Sequence, residues 1–265
     1  MSTRSQGVVH PFGSLDGAPE IYLTPVTRPS LQQAMMWCRQ LATTHYENFH
    51  VTSIFLPKRL RPHFYSVYAF CRTSDDLGDE VGDTKTATRL LNEWRAMLQE
   101  CFEHPEQSRH AVYIALQPTI RECKLPMQPF DDLITAFAQD QVYTKHDSLK
   151  TLEEYSKFSA NPVGRLVLML SGYHDEERMR LSDEICTGLQ LANFYQDVVT
   201  DWVDRGRVYL PLAELQHEHV HLEDLLLATR GVVITEEMVD LVRREVKRAG
   251  VFYRDANELD RKSVV

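Results

Sequence analysis

The sequence lacks most features that mark secreted, membrane-spanning or nucleic-acid-binding proteins. Its five cysteines are scattered over 265 residues without a Cys-x-x-Cys pair, which fits a reducing compartment better than a disulfide framework. No apolar run approaches the length of a membrane-spanning helix, and the N-terminus has no apolar signal segment. A net charge of −9 argues against a nucleic-acid-binding face. We therefore expect a cytoplasmic protein that does not bind nucleic acid.

Alternating strand patterns, internal repeats and a glycine-rich dinucleotide fingerprint are also missing. From Leu31 onward, apolar residues recur with the three- and four-residue spacing of a buried helix face. Residues 1–30 are instead rich in Gly, Pro, Ser and Thr and have no sustained period. The sequence predicts a flexible segment over 1–30 and a single all-α domain over 31–265, a helical bundle with inward-facing active-site groups.

The first acidic stretch runs from Arg72 to Glu80 and reads Arg-Thr-Ser-Asp-Asp-Leu-Gly-Asp-Glu. On a helix, Arg72, Asp75 and Asp79 fall within an arc of roughly 60°. An isolated acidic cluster is most often a solvated helix face. This stretch alone is therefore weak evidence for a binding site.

The second acidic stretch lies within a predicted helix over 182–203. Its polar residues Gln190, Asn193, Asp197 and Asp201 fall within an arc of roughly 80°, while apolar residues cover the rest of the circumference. Such a helix is predicted to be buried, with its polar strip lining a wet cavity. Four carboxylates from the two stretches around one cavity would repel each other without cations. Mg²⁺ is the expected cation, and Mg²⁺ in turn holds diphosphates.

These stretches resemble the motifs of the squalene and phytoene synthases. The matching segments are Tyr68-Ala-Phe-Cys-Arg-Thr-Ser-Asp-Asp76, Leu189-Gln-Leu-Ala-Asn-Phe-Tyr-Gln-Asp-Val198 and Arg205-Gly-Arg-Val-Tyr-Leu-Pro211. The resemblance covers about Leu31 to Leu227. It implies an α-helical prenyltransferase (isoprenoid synthase) bundle with both acidic motifs facing a central cavity, and a prenyl diphosphate substrate.

The resemblance also implies roles for individual residues. The implied Mg²⁺ ligands are Asp75, Asp79, Asp197 and Asp201. The implied substrate-binding residues are His45, Phe49, Arg72, Arg205, Arg207 and Tyr209. The implied catalytic residues are Gln190 and Asn193, near the reacting carbons, and Tyr155, near the diphosphate.

Three of these residues also have a purely structural interpretation. Tyr155 either hydrogen-bonds the leaving diphosphate or is a buried helix residue with a satisfied hydroxyl group. His45 either lies near the diphosphate or a prenyl tail, or is favoured at a helix C-terminus by the helix dipole. Phe49 either shields a carbocation with its π face or belongs to the core.

Finer details resemble the hydroxysqualene synthase branch of this family, which belongs to bacterial hopanoid biosynthesis. The matching stretches are 45–50, 75–80 and 159–164. This chain has Glu47-Asn48 and Gln196 at positions where ordinary synthases carry positive residues. The loss of positive charge fits a site that binds a substrate with one diphosphate group instead of two diphosphate groups. The implied reaction is ionisation of presqualene diphosphate, rearrangement of the cation and capture by water. NADPH is not expected, and a presqualene diphosphate synthase would be a functional partner.

Two other functions remain open. One is head-to-head condensation of two prenyl diphosphates, as in presqualene diphosphate, squalene or phytoene synthases. The other is a non-catalytic family member that serves as an assembly subunit, against which the retained aspartates argue. The chain ends at Val265, earlier than family members usually do, so we expect a short C-terminal region. A membrane-soluble product would favour transient contact with the inner membrane surface, although no basic amphipathic helix stands out.

Three further groups look functional but have simpler interpretations. His217, His219 and His221 would converge on a metal only along a strand, and we expect them in a surface loop. Asp131 and Asp132 are expected to cap a helix start. Asp140, on the same predicted helix, is expected to be structural.

Overall fold

A computed structural model of the protein describes residues 15–44, 56–223 and 235–253. The chain divides into two compact units, unit 1 over Met1–Met127 and unit 2 over Gln128–Val265. Each unit has its own group of buried side chains. The single-domain arrangement and its boundary at residue 30 stay predictions.

Helices form nearly all of the regular structure. The described helices of unit 1 are α1 (Leu31–Thr44), α2 (Arg61–Asp79), α3 (Thr84–Glu103) and α4 (Ala111–Glu122). Those of unit 2 are α5 (Gln128–Gln139), α6 (Leu149–Ser159), α7 (Asn161–Leu170), α8 (Glu176–Gln196), α9 (Val198–Arg205), α10 (Leu212–His217) and α11 (Glu236–Ala249). In these described ranges the sole β-type contact is an isolated bridge between Lys145 and Val208. The all-α prediction is confirmed.

Capping side chains determine where several helices begin. The carboxylate of Asp83 accepts a hydrogen bond from a backbone N–H in the first turn of α3, and Asp175 does the same for α8. Ser148 and Thr151 form a reciprocal capping box at the start of α6. Such bonds satisfy amide groups that have no partner within the helix, and each contributes about 1 kcal/mol.

The core of unit 1 is built around the indole of Trp94, which is fully buried. Phe70 stacks on it at 5.8 Å between ring centroids, and the Tyr113 ring lies at 4.4 Å. The indole N–H donates to Ser74 Oγ at 2.8 Å, and the Tyr113 hydroxyl donates to the Trp94 carbonyl at 2.6 Å. These contacts tie α2, α3 and α4 together.

His110 packs edge-on against Trp94 at 4.9 Å, and its burial favours the neutral form of the ring. Its Nδ1 accepts from the backbone N–H of Val112, so the ring proton is on Nε2, which lies 3.1 Å from the carbonyl oxygen of Tyr22. Burial lowers the pKa of His110 from 6.5 to about 4. The native state therefore resists protonation of this side chain.

Unit 1 is expected to lose stability as the pH falls from about 6.5 to about 4, because the unfolded chain binds a proton on His110 in this window and the folded chain does not. The difference in pKa corresponds to a loss of up to about 3 kcal/mol. Urea denaturation at pH 7.5 and pH 4.5 would measure it. His110→Gln should flatten the pH dependence, whereas replacement of the exposed His104 should not. If the free energy of unfolding falls by the same amount between pH 7.5 and pH 4.5 in the wild type and both variants, His110 is not the group responsible.

The described part of the N-terminal segment is packed against unit 1. Leu15 and Tyr22 are both almost completely buried, and Glu20–Tyr22 form a 3-10 turn. Two apolar anchors therefore hold the described part of a segment whose composition is loop-like, and the flexibility predicted over 1–30 stays a prediction. Residues 1–14 lie outside the described residues.

Unit 2 is organised around α8, which contacts α6, α7 and α11. Helices α7 and α8 approach closely at Gly164, where a Cβ atom would lie 2.4 Å from Cys186 Sγ and 2.5 Å from Ser182 Oγ. Any larger residue at this crossing would therefore force the side chains of Cys186 and Ser182 to move. Leu191, Phe194 and Tyr195 supply the buried face of α8.

Two predictions about the whole chain can be compared with the described residues. The five cysteines, all of which lie within them, form no disulfide bond. Among the helices described, none is both long and apolar enough to cross a membrane.

Candidate active site

The first acidic motif forms the last turn of α2 in unit 1. Asp75 and Asp79 are half-buried, whereas Asp76 is only 4% exposed. Carboxylates at the C-terminal end of a helix oppose its dipole, at a cost of about 0.3–1 kcal/mol each. The acidic last turn therefore needs a countercharge close by.

The guanidinium of Arg72 binds the buried carboxylate of Asp76. Its Nη2 lies 2.7 Å from Oδ1, and its Nε donates to Oδ2 at 3.2 Å. Its Nη1 lies 3.6 Å from Asp75 Oδ2. Burial acts to lower the pKa of Arg72, but the charges of Asp76 and Asp75 outweigh it, so the pKa is raised and the side chain stays charged. The predicted contact of Arg72 with a diphosphate stays a prediction.

Asp76 has a second partner that sequence reasoning missed. The hydroxyl of Tyr22 donates to Asp76 Oδ2 across 54 residues of sequence. Burial raises the pKa of Tyr22, and the bond to Asp76 raises it further. The sequence contains only a weak indication of this contact, because Tyr22 belongs to a short apolar cluster in a segment otherwise rich in Gly and Pro.

The second acidic motif lies where α8 ends and α9 begins in unit 2. The predicted single helix over 182–203 was wrong in one respect, because it is interrupted at Asp197, whose backbone (φ −101°, ψ 11°) leaves the helical region. Backbone bonds from Asp197 N–H to Asn193 and from Asp201 N–H to Asp197 bridge the break. The polar strip therefore continues across both helices.

The polar strip is more exposed than predicted. Asn193 and Asp197 are exposed, and Gln190 and Asp201 are half-buried. Leu189, which we expected on the buried side, is 51% exposed. The apolar residues thus bury one face of α8 and not most of its circumference.

The segment after α9 folds back over the second motif. Gly206 ends α9 in the left-handed region at φ 64°, and the Arg207 N–H donates to the carbonyl of Asp201 at 3.0 Å. The Tyr209 ring then stacks on Phe194 of α8, with 3.8 Å between centroids and 6° between planes. This turn fixes Arg207 and Tyr209 beside the motif, while Arg205 stays exposed at the end of α9.

Three predicted site residues meet in a buried polar cluster that we call the Asp140 cluster; it consists of Asp140, Tyr155, Arg207 and Tyr209. The Tyr155 hydroxyl donates to Asp140 Oδ2 at 2.8 Å, and Arg207 Nη1 lies 3.9 Å from the same oxygen. Burial and the charge of Asp140 raise the pKa of Tyr155 and Tyr209. The structural role predicted for Asp140 agrees with its burial and its two partners.

A pocket of about 390 Å³ opens beside the Asp140 cluster. Its lining includes Asp140, Tyr155 and His146. His146 is 8% exposed, its ring stacks on Tyr209 at 5.7 Å, and its Nε2 has no hydrogen-bond partner among the described residues. Burial lowers the pKa of His146, although Asp147 opposes this. No motif in the sequence marked His146 as a candidate.

The carboxylates of both motifs suit a hard divalent cation in chemistry and accessibility. Asp75 has a side chain 39% exposed, and Asp197 is exposed, so hydrated Mg²⁺ can reach them. In the described ranges, no group of three or more His, Cys, Asp or Glu side chains lies close enough to hold a metal ion. The four-aspartate Mg²⁺ site therefore stays a prediction, as does the shared cavity.

The remaining candidates fall into two groups. His45 and Phe49 lie outside the described residues. His217 ends α10, and the following His219 has a positive φ of 56°. The expected surface loop therefore begins only after His217, which belongs to α10, and the expectation that these histidines bind no metal stays a prediction.

The chain is similar to several known proteins. The sequence model described as "Squalene/phytoene synthase" matches residues 42–263. The 15-cis-phytoene synthase of Synechocystis is 27% identical over 247 residues, which cover 88% of this chain and 71% of that protein. The hydroxysqualene synthase of Rhodopseudomonas palustris is 33% identical over 205 residues, which cover 77% of this chain and 68% of that protein.

The fold is similar to that of a solved structure from the same family. The squalene synthase HpnC from Alicyclobacillus acidocaldarius is 39% identical and superposes with a TM-score of 0.77. The match covers 93% of this chain and 87% of that chain. The chain spans a smaller share of plant relatives, for example 58% of maize phytoene synthase 1.

Proposed function

This chain belongs to the squalene/phytoene synthase family, whose members are isoprenoid synthases acting on prenyl diphosphates, and from this premise we propose that it converts presqualene diphosphate to hydroxysqualene. The neutral side chain of Gln196 carries the proposal. It is exposed at the end of α8, directly before Asp197, where ordinary synthases have a positive residue. A site with fewer positive charges suits a substrate with one diphosphate.

The proposed reaction has three steps: ionisation, rearrangement of the cation and capture by water. The carbon–oxygen bond to the diphosphate breaks, and the bonding pair leaves with the diphosphate oxygen. The cyclopropylcarbinyl cation rearranges, and water then attacks it and loses a proton to solvent. The net reaction consumes one water molecule and releases diphosphate and an alcohol, without an oxidant or reductant.

We propose that the acidic motifs and nearby arginines bind the departing diphosphate. Asp75, Asp79, Asp197 and Asp201 would hold Mg²⁺, which when bound offsets the negative charge on the leaving group. Arg72 and Arg205 would add direct hydrogen bonds to the diphosphate oxygens. Gln190 and Asn193, on the polar strip, would lie near the reacting carbons.

The role proposed for Tyr155 requires a change of partner. A phenol has one hydroxyl hydrogen, and Asp140 accepts it at 2.8 Å. For Tyr155 to donate to the diphosphate, its bond to Asp140 must break. Arg207, 3.9 Å from the same carboxylate oxygen, would then remain as the partner of Asp140 and limit the cost of the exchange.

Incubation with presqualene diphosphate and Mg²⁺ is expected to release diphosphate and yield hydroxysqualene, detected by mass spectrometry. In H₂¹⁸O the alcohol should carry one heavy oxygen, because water captures the cation. NADPH should not change the product, and farnesyl diphosphate alone should not react. Presqualene diphosphate formed from farnesyl diphosphate would instead establish the condensation reaction, which the phytoene synthase relatives favour. A folded protein inactive on every substrate would favour the non-catalytic role.

Two partners follow from the proposed reaction. An enzyme that makes presqualene diphosphate must supply the substrate. The product is a long hydrocarbon with one hydroxyl group, so its release favours transient contact with a membrane surface.

A further inference from the structure

The N-terminal segment contacts the first acidic motif of unit 1 through Tyr22. The family match begins at residue 42, whereas the buried anchors Leu15 and Tyr22 precede it. Tyr22 therefore joins the first acidic motif to a segment that precedes the residues matched by the family's sequence model.

The segment is fixed to three helices of unit 1. The Leu15 N–H donates to Glu93 on α3 at 3.2 Å. The carbonyl of Tyr22 lies 3.1 Å from His110 Nε2 at the start of α4, and the Tyr22 ring meets Trp37 of α1 edge-on at 6.4 Å. These contacts place the phenol independently of the acidic motif.

The Tyr22 hydroxyl completes the coordination of the buried Asp76 carboxylate. Oδ2 accepts from Tyr22 and from Arg72 Nε, and Oδ1 lies 2.7 Å from Arg72 Nη2. The guanidinium is thereby held by one edge, and its Nη1 lies 3.6 Å from Asp75. A carboxylate that is only 4% exposed depends on such partners, because water cannot replace them.

We propose that Tyr22 is a positioning residue for diphosphate binding, which through Asp76 fixes the orientation of Arg72 and Asp75. This role rests on the proposed function, because it assumes that Arg72 and Asp75 bind the magnesium diphosphate. Without the Tyr22 hydroxyl, Asp76 loses one of its donors and the guanidinium can turn to compensate. Arg72 and Asp75 then lose their fixed geometry.

Binding of inorganic pyrophosphate in the presence of Mg²⁺, measured by isothermal titration calorimetry on the full chain, tests this role. Tyr22→Phe should weaken pyrophosphate binding roughly three- to tenfold, the effect of one lost hydrogen bond. Tyr113→Phe is the matched control. It also removes a buried hydroxyl of unit 1, whose acceptor is the carbonyl of Trp94, and it should leave the affinity unchanged.

A double-mutant cycle with Arg72→Lys separates positioning from general stability. Positioning through Asp76 predicts that the effects of Tyr22→Phe and Arg72→Lys on pyrophosphate affinity are not additive. Additive effects, or equal affinities for Tyr22→Phe and Tyr113→Phe, would overturn the role of Tyr22 while leaving the proposed function in place. A wild-type protein that fails to bind magnesium pyrophosphate would contradict both.

Discussion

Asp75→Asn and Asp197→Asn are each expected to lower turnover of presqualene diphosphate by about 10²–10³-fold, the usual effect of removing one group that stabilises developing charge. Asparagine preserves the shape of the side chain but removes the negative charge that attracts a hard cation. The Asp75 side chain is 39% exposed and Asp197 is exposed. The free energy of unfolding should therefore change by less than about 0.5 kcal/mol.

Glu176→Gln is the matched control for Asp197→Asn. Glu176 is an exposed acidic residue in the first turn of α8, and about 30 Å of helix separates it from the second motif. Steady-state turnover with Mg²⁺, together with urea denaturation, would distinguish loss of chemistry from loss of folding. Unchanged turnover in both asparagine variants would remove the catalytic interpretation and favour the assembly subunit.

The helical architecture could be predicted from the sequence because its determinants are local. The apolar spacing from Leu31 predicts the buried face of α1, on which Ala34, Cys38 and Leu41 are buried as expected. Met35 on the same face is half-buried, and Leu31 at the start of the helix is exposed. Residues that end a helix or cap it act over a few positions, so the boundaries of α2 and α3 follow from Pro62 and Asp83. Periodicity and capping thus determine the helices without reference to distant parts of the chain.

The partners within the candidate site could not be predicted in this way. Tyr22 reaches Asp76 across 54 residues, and the surrounding composition indicates a loop. The break at Asp197 has no neighbouring proline or glycine that would predict it. Asp140 directly follows α5 and Tyr155 lies on α6, 15 residues further along the chain, so their hydrogen bond depends on how α5 and α6 pack.

Asp140→Asn is expected to destabilise unit 2 by about 3 kcal/mol, because it leaves the charge of Arg207 without its nearest buried carboxylate. The side chains of Asp140 and Arg207 are only 7% and 11% exposed, so water cannot replace the lost charge. The side-chain oxygen of asparagine can still accept the hydrogen bond from Tyr155. The loss of stability should therefore come mainly from the buried charge of Arg207. Urea denaturation would give the free energy of unfolding, and hydrogen exchange would localise the loss to α5, α6 and the segment after α9.

Two further variants distinguish the contributions of charge and of hydrogen bonding to the stability of the Asp140 cluster. Asp132→Asn is the matched control and should cost under about 1 kcal/mol. Asp132 lies on α5, the helix that ends directly before Asp140, and it is half-buried and hydrogen-bonded to Gln128 at 2.7 Å. Tyr155→Phe should cost about 1 kcal/mol through its lost hydrogen bond. If Asp140→Asn is no more destabilising than Asp132→Asn, the charge of Asp140 does not hold Arg207. In that case Arg207 would not be available to stabilise Asp140 when Tyr155 turns to the diphosphate, and the partner exchange proposed for Tyr155 would fail with it.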